Sequence, residues 1–334
     1  MTSRLHCYSF HSVKGGVGKS TLSLLTAVAL ATENPDARVV LIDMDLTGTS
    51  LADVLPLEAP RWNGVGARDR IDLSRAPDDF LRVHDTRPRI EERGEIPPDE
   101  GPVGVPFLND YLLFTPPGWN AEKDVPPDAI LWRLPEGPKN LRVIPSSALP
   151  RDLVKVLPVI YDEEHAAFLE GRLEYLLSAL LAEGGDLFVV FDTPPTVPGL
   201  SRSVLSLALR LARHPKVPLS DDGFMPKALQ DADVAWEALL VATQDFQDIR
   251  AAARWLDLVG PNDPQVLRLL VNRVRGQEAQ GRAIHVEALS DSANPLAINP
   301  LWMEEADVLR DIFRGEKAPP LRSSFLRLLD RKLS

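Results

Sequence analysis

Two lysines bracketing three glycines, set between a short apolar run and a long apolar helical pattern, leave this chain few folds to choose from. Lys14-Gly-Gly-Val-Gly-Lys-Ser-Thr21 follows Leu5 to Phe10, which reads as a short buried strand, and runs into Thr21 to Thr32, apolar over nearly its whole surface. Strand, glycine loop and buried helix in that order bring backbone N–H groups together at a helix mouth. Gly15, Gly16, Val17 and Gly18 supply those amides, and glycine lets the chain turn tightly while leaving an anion room to approach. The helix beginning near Lys19 adds its N-terminal dipole, and Lys19 supplies a point charge for phosphate oxygens. Ser20 offers a hydroxyl to Mg²⁺, and Thr21 is placed for a further phosphate contact. Six specified positions arise by chance on the order of 10⁻⁴ of the time in a chain of this size. The strict G-x-x-x-x-G-K-[ST] pattern would require Gly at position 13, where this chain has Val13.

The rest of the chain continues the alternation. Val39 to Ile42 reads as a strand ending in Asp43 and Asp45, so both carboxylates lie at a strand's carboxyl end, where open α/β sheets gather ligands. Leu141 to Ile144 is a strand, Glu163 to Ala182 a helix, and Leu187 to Phe191 a strand ending in Asp192-Thr-Pro-Pro195. A helix near Val204 to Ala212, a strand Ala238 to Ala242, a helix Phe246 to Val259 and a strand Leu267 to Val271 follow. The expected fold is α/β: a doubly wound, mainly parallel sheet flanked by helices on both faces.

Residues 56–145 hold 15 of the 30 prolines but also Trp62, Phe107, Tyr111, Phe114, Trp119 and Trp132. That is too much large apolar surface for a solvated linker. The chain is therefore read as one domain over 1–334, with an ordered Pro-rich insertion at 56–140 and a helical tail at 303–334.

Hydrophobic residues at 44% and charged residues at 25% describe a globular chain. No apolar run approaches the roughly 18 residues a membrane span needs, and no secretory pattern precedes the first strand, so a cytoplasmic protein is expected. The single cysteine, Cys7, excludes an intramolecular disulfide or a multi-thiolate metal site and reads as buried and structural. A net charge of −11 opposes indiscriminate binding to phosphate backbones, although a local basic patch could still act.

Lys14 followed by Gly-Gly-Val-Gly-Lys-Ser-Thr resembles the deviant phosphate loop of the ParA/MinD-type ATPases, P-loop NTPases of the SIMIBI class, in which the position of Val13 is variable. The resemblance implies Mg²⁺ and ATP as cofactors, and it implies that Lys14 crosses a dimer interface to the partner's nucleotide. Val40-Leu-Ile-Asp-Met-Asp-Leu-Thr-Gly-Thr-Ser50 resembles the family's D-x-D switch, which makes Asp45 the group that positions or activates the attacking water; Thr49 stands where some relatives have Pro. Phosphoryl transfer mostly needs an oriented water and charge compensation, so Lys14, Lys19 and Asp45 are the expected catalytic set. Asp43 either caps its strand end or contacts Mg²⁺ directly. Phe188-Val-Val-Phe-Asp-Thr-Pro-Pro195 resembles the Walker B strand, making Asp192 a partner of Mg²⁺ through water, together with Ser20. Leu269-Leu-Val-Asn-Arg273 resembles the late strand whose Asn, here Asn272 with Arg273 beside it, binds adenine; the alternative is a turn Asn closing a strand. The resemblance covers roughly 3–55 and 141–275.

What it implies is an ATP-dependent homodimer that hydrolyses ATP to ADP and phosphate, slowly and under stimulation by a protein activator or cargo. Such a switch would control positioning or assembly on DNA, membrane or a protein partner. Arg202, Arg210, Arg213 and Lys216, or Arg268, Arg273 and Arg275, are the candidate DNA contacts. The tail 321–334, with four basic residues against one acid, could touch a membrane peripherally, yet it is short and lacks Trp, so docking on its own domain is favoured. The alternative is a switch component of a bacterial signalling or defence system that recognises a protein through the 56–140 insertion. Cluster-carrying relatives need paired cysteines, kinase relatives a C-terminal tyrosine cluster, and tail-anchor targeting factors a Met-rich groove; one cysteine, a last tyrosine at Tyr175 and four methionines fit none of these.

Overall fold

Residues of the first strand stand in the middle of the molecule because they are apolar on both faces. A computed structural model describes residues 3–46, 51–55, 57–58, 107–109, 111–112, 127–135, 137–147, 156–158, 160, 166–195, 200–213, 226–258, 266–274 and 301–304. Most of the 56–140 insertion, switch residues 47–50, Lys216, Arg275 and the tail beyond Glu304 lie outside them. Among the described residues eight strands form one sheet: β1 Arg4–His11, β2 Arg38–Asp43, β3 Trp132–Arg133, β4 Leu141–Ile144, β5 Asp186–Asp192, β6 Asp233–Thr243, β7 Leu267–Val274 and β8 Leu301–Glu304. Their order is β3-β4-β2-β5-β1-β6-β7-β8. Every pairing is parallel except β3 with β4. The helices are α1 Lys19–Glu33, α2 Leu51–Val54, α3 Ala166–Leu181, α4 Leu200–Arg213, α5 Lys227–Asp231 and α6 Phe246–Leu258.

Strand alternation sorts the core into two layers. Tyr8, Phe10, Val39, Leu41, Val190, Leu239 and Val241 pack with α1 on one face. Leu5, Cys7, Val40, Ile42, Leu187, Val189 and Phe191 pack under α3 and α4 on the other, and Ala238, Leu240, Leu267 and Leu269 pack under α6. The α/β expectation, with helices on both faces, is therefore met. Cys7 is buried, and burial pushes its thiol well above the ordinary value, as an inert structural cysteine requires.

Several elements differ from the sequence reading. β6 starts at Asp233 rather than Ala238, because its first turn of chain stays in register with β1 from Arg4 onward although Asp233 and Ala235 face solvent. Pairing with a central strand extended it where alternation gave no signal. β3 and β8 were not anticipated; one is two residues long and the other follows Asn299-Pro300, so neither shows a strand pattern. Phe107, Leu108, Tyr111, Leu112, Ile130 and Trp132, all from the Pro-rich stretch, are buried, with Leu108 N–H donating to the Pro145 carbonyl at 2.9 Å.

Candidate functional site

The carboxyl ends of β1, β2, β5, β6 and β7 converge on one edge of the sheet, and the sequence places a polar or charged residue at each of them. After β1, Ser12 Oγ donates to the Lys14 carbonyl at 2.7 Å and starts the loop. Gly16 and Gly18 have φ of 78° and 93°, a region closed to ordinary side chains. A Cβ on Gly18 would also lie 2.6 Å from Asn272 Nδ2, whereas Cβ atoms on Gly15 and Gly16 would meet nothing within 4 Å. The first two loop glycines therefore border open space, and the third is fixed by a close neighbour. Lys14, Gly15 and Gly16 are exposed, as is Ser20; Val17 is buried and Thr21 half-buried.

Lys19, the first residue of α1, is only 7% exposed. Its burial lowers the ammonium pKa, and the charges of Asp192 and Asp45 oppose that shift. Asp43 and Asp192 are neighbours in register at the ends of β2 and β5, and both are buried. Burial raises each: Asp43 rises to about 7, with the Asp192 charge the next cause, and Asp192 rises to about 6 against the hydrogen bond from Ser20 and the Lys19 charge, with the Asp45 charge adding to the rise. Asp192 also accepts from Ser23 at 3.3 Å. Asp43 accepts from the N–H of Asp45 at 3.1 Å, the N–H of Leu51 at 2.8 Å and Ser146 Oγ at 2.9 Å. Through these bonds the carboxylate ties down the turn that carries Asp45, which is half-buried beside it.

Asn272, at the end of β7, donates from Nδ2 to the Val17 carbonyl at 2.9 Å and so staples this strand to the phosphate loop. Because a carbonyl can only accept, the orientation of the amide is fixed, and its Oδ1 is the atom left buried with no hydrogen-bond partner among the described residues. Arg273 adopts φ 57°, rare for a non-glycine, and brings Nε and Nη2 to 3.7 Å from the position of a Gly18 Cβ.

Lys14 turns away from this centre. Its Nζ lies 2.8 Å from Asp248 Oδ1 in the first turn of α6, and Asp248 Oδ2 accepts from Thr243 Oγ1 at 2.5 Å at the end of β6. The bonds from Lys14 and Thr243 hold the Asp248 carboxyl below its usual range although partial burial works the other way. Sequence reasoning missed Asp248, Ser146 and Ser23. Ser23 was visible as the residue one helical turn after Lys19, and Ser146 as a polar residue just past a strand that adjoins β2; Asp248 carried no signal beyond being an acid in a helix's first turn. Two of the proposed basic groups are partly neutralised: Arg210 pairs with buried Glu174, and Arg268 Nε lies 3.4 Å from Glu237. Arg202 and Arg273 are exposed.

Residues 5–70 match the ParA family model, described as the NUBPL iron-transfer P-loop NTPase. Solved structures share the fold at low identity. The septum site-determining protein MinD of Pyrococcus horikoshii OT3, complexed with Mg-ADP, has 16% identity and a TM-score of 0.52 over 99% of this chain and 97% of that one. A plasmid partition protein of Borrelia burgdorferi B31 bound to AMPPNP has 16% identity and a TM-score of 0.50 over 99% of both chains. Apo McdA of Cyanthece has 14% identity and a TM-score of 0.50 over 99% and 100%. Residues 5–70 thus resemble the ParA family in sequence, and the chain as a whole shares the fold of these solved AMPPNP- and Mg-ADP-bound structures.

Proposed function

We propose that the chain is a Mg²⁺- and ATP-dependent switch ATPase that dimerises on ATP and hydrolyses it to position or assemble a cargo. The observation that carries this reading is the convergence on one sheet edge of a glycine cradle, buried Lys19, and the Asp43, Asp45 and Asp192 carboxylates. Open space above Gly15 and Gly16 leaves the loop amides accessible to phosphate. Ser20 and Asp192, already hydrogen-bonded to each other, are hard oxygen donors of the kind Mg²⁺ takes alongside phosphate oxygens and water. When bound, the metal would neutralise charge on the outer phosphates, while Lys19 holds them and Asp45 orients the water. Similar folds are solved with AMPPNP and with Mg-ADP.

The base preference follows from Asn272. One of its two Nδ2 hydrogens is committed to Val17, and the Oδ1 acceptor, buried without a partner among the described residues, suits the exocyclic amine of adenine and opposes the carbonyl of guanine. Asn272→Ala is expected to narrow the preference for ATP over GTP by about 5- to 150-fold, one lost buried bond being about 1–3 kcal/mol. Competition binding of the two nucleotides measures this; an unchanged ratio removes Asn272 from base recognition.

Lys14 cannot serve a partner's nucleotide while it is paired with its own chain's Asp248, so dimerisation on ATP has to break that ion pair. Lys14→Ala should still bind ATP but fail to dimerise or hydrolyse it, and light scattering with and without ATP reads the difference. Normal ATP-dependent mass in that variant would show that Lys14 stays in its own subunit.

A second reading, a signalling or defence switch addressed through the insertion, has one observation in its favour. Asn109, deep in the Pro-rich stretch, accepts from the Ser147 N–H at 2.7 Å, and the adjacent Ser146 hydroxyl bonds Asp43. A partner gripping the insertion would thus lie two hydrogen bonds from the switch carboxylates. Trapping the ATP-bound state with Asp45→Ala and offering it DNA, anionic liposomes and cell proteins separates the readings. Retention of DNA or liposomes supports positioning, whereas retention of a protein that is lost on deleting insertion residues supports the second reading.

A further inference from the structure

A polar filament runs through the apolar layer between β1 and α4. Trp236 Nε1 donates to Ser9 Oγ at 3.1 Å, and Ser9 Oγ lies 2.9 Å from His11 Nε2. His11 Nδ1 lies 3.1 Å from Ser201 Oγ and 3.4 Å from Thr193 Oγ1. Ser201 Oγ and Thr193 Oγ1 are 3.3 Å apart, and Thr193 Oγ1 donates to the Phe10 carbonyl at 2.7 Å. All five side chains are buried, and the Trp236 ring stacks on Phe191 at 5.2 Å.

The ends of the filament fix its direction. An indole N–H can only donate and a backbone carbonyl can only accept. If Ser9 accepts from Trp236, its own hydrogen goes to His11 Nε2, and the ring proton must then sit on Nδ1. That N–H donates to Ser201, Ser201 to Thr193, and Thr193 to Phe10, so each hydrogen has one acceptor. With the proton on Nε2 instead, Ser9 would receive two donors while its own hydrogen found none of these partners, and Thr193 would lose its donor. A buried donor without an acceptor costs about 1–3 kcal/mol, which selects the first arrangement. A charged ring would place a donor at both ends; burial first, then the Lys19 charge, lower the His11 pKa to about 3, so the ring is neutral.

The filament joins three parts of the candidate site. His11 ends β1 immediately before Ser12 and the phosphate loop, Thr193 directly follows Asp192, and Ser201 lies in the first turn of α4. We propose that His11 is a positioning residue whose Nδ1-protonated ring holds Thr193 and Ser201 at a set distance from the phosphate loop, so that α4 responds to what occupies the loop. The inference rests on the nucleotide-switch reading given above. Displacement of Asp192 on loading would pass along the chain to Thr193 and through the hydroxyl pair to Ser201, making α4 the segment that reports nucleotide state to a partner.

The test has two parts. Nitrogen-15 NMR of the histidine rings, with the His11 signals assigned by their loss in His11→Asn, should show a neutral ring protonated at Nδ1 at neutral pH in the nucleotide-free protein. A proton on Nε2, or a charged ring, overturns the filament. Hydrogen exchange with and without Mg·AMPPNP should then show protection of residues 12–21 together with a change in residues 200–213 in the wild type. In His11→Leu and Ser201→Ala the change at 200–213 should vanish while protection at 12–21 remains; in His11→Asn, whose amide nitrogen overlays Nδ1, it should persist. Should His11→Leu fail to fold, Ser201→Ala carries the comparison alone. An α4 response that survives Ser201→Ala overturns the coupling and leaves the ATPase reading intact, and absence of protection at 12–21 in the wild type overturns the ATPase reading itself.

Discussion

Lys19→Ala is expected to give no measurable heat when titrated with Mg·ATP under conditions where the wild type gives a full isotherm. Lys19 is nearly buried at the mouth of α1, so its ammonium has already lost most of its water and would meet phosphate oxygens at low cost. Removing one member of a buried, hydrogen-bonded charge pair costs about 2–5 kcal/mol or more, roughly 30- to 5,000-fold in affinity. The variant also leaves Asp45 and Asp192 without the Lys19 charge that faces them, which adds repulsion against any anion. A melting curve run in parallel separates lost binding from lost folding. An isotherm like that of the wild type, from a folded variant, would refute the phosphate site.

Asp45→Ala should have the opposite profile: normal affinity and turnover lower by about 100-fold or more, the scale of losing a group that orients or accepts from the attacking water. Asp45 is half-buried at the end of a turn tied down by Asp43 and Ser146, so the backbone that carries it keeps its anchors when the side chain is shortened. ATP would then persist and the ATP-bound dimer accumulate, visible as a doubled mass in size-exclusion chromatography with light scattering. Phosphate release at the wild-type rate would remove Asp45 from the chemistry. The two variants together form an internal control, since one loses binding without reaching the chemical step and the other loses the step without losing binding.

The parts of this molecule that a reader of the sequence could find are those where a local pattern dictates the structure. Gly16 and Gly18 announce positive φ, Leu5 to Phe10 a buried strand, and Thr21 to Thr32 a buried helix, and together they fix the cradle. Asp43 and Asp192 were legible as acids ending apolar runs, but their being in register with each other depends on the strand order, which no local pattern encodes. The pairing of Lys14 with Asp248, 234 positions away, is of the same kind. His11 was hidden for a different reason: a lone histidine ending an apolar strand reads as a satisfied core residue, and only the juxtaposition of β6 and α4 shows that both its nitrogens are engaged. β3 and β8 were invisible because a two-residue strand and a strand next to Pro300 are made by their neighbours rather than by their own residues.

The place of β1 in the sheet carries one more consequence. Paired with β5 along one side and β6 along the other for nearly its whole length, it launches the phosphate loop from a strand hydrogen-bonded on both edges, and α1 anchors the loop through the buried run Leu22 to Ala27. The entropy of ordering the loop is therefore lost during folding and not at encounter, so the cradle is preorganised and ligand capture should be limited by diffusion and charge. A preformed seat of this kind grips a diphosphate almost as well as a triphosphate. On the proposed reading, discrimination between fuel and spent product would then fall to the side chains expected to reach the outermost phosphate from the rim, Lys14 and Asp45.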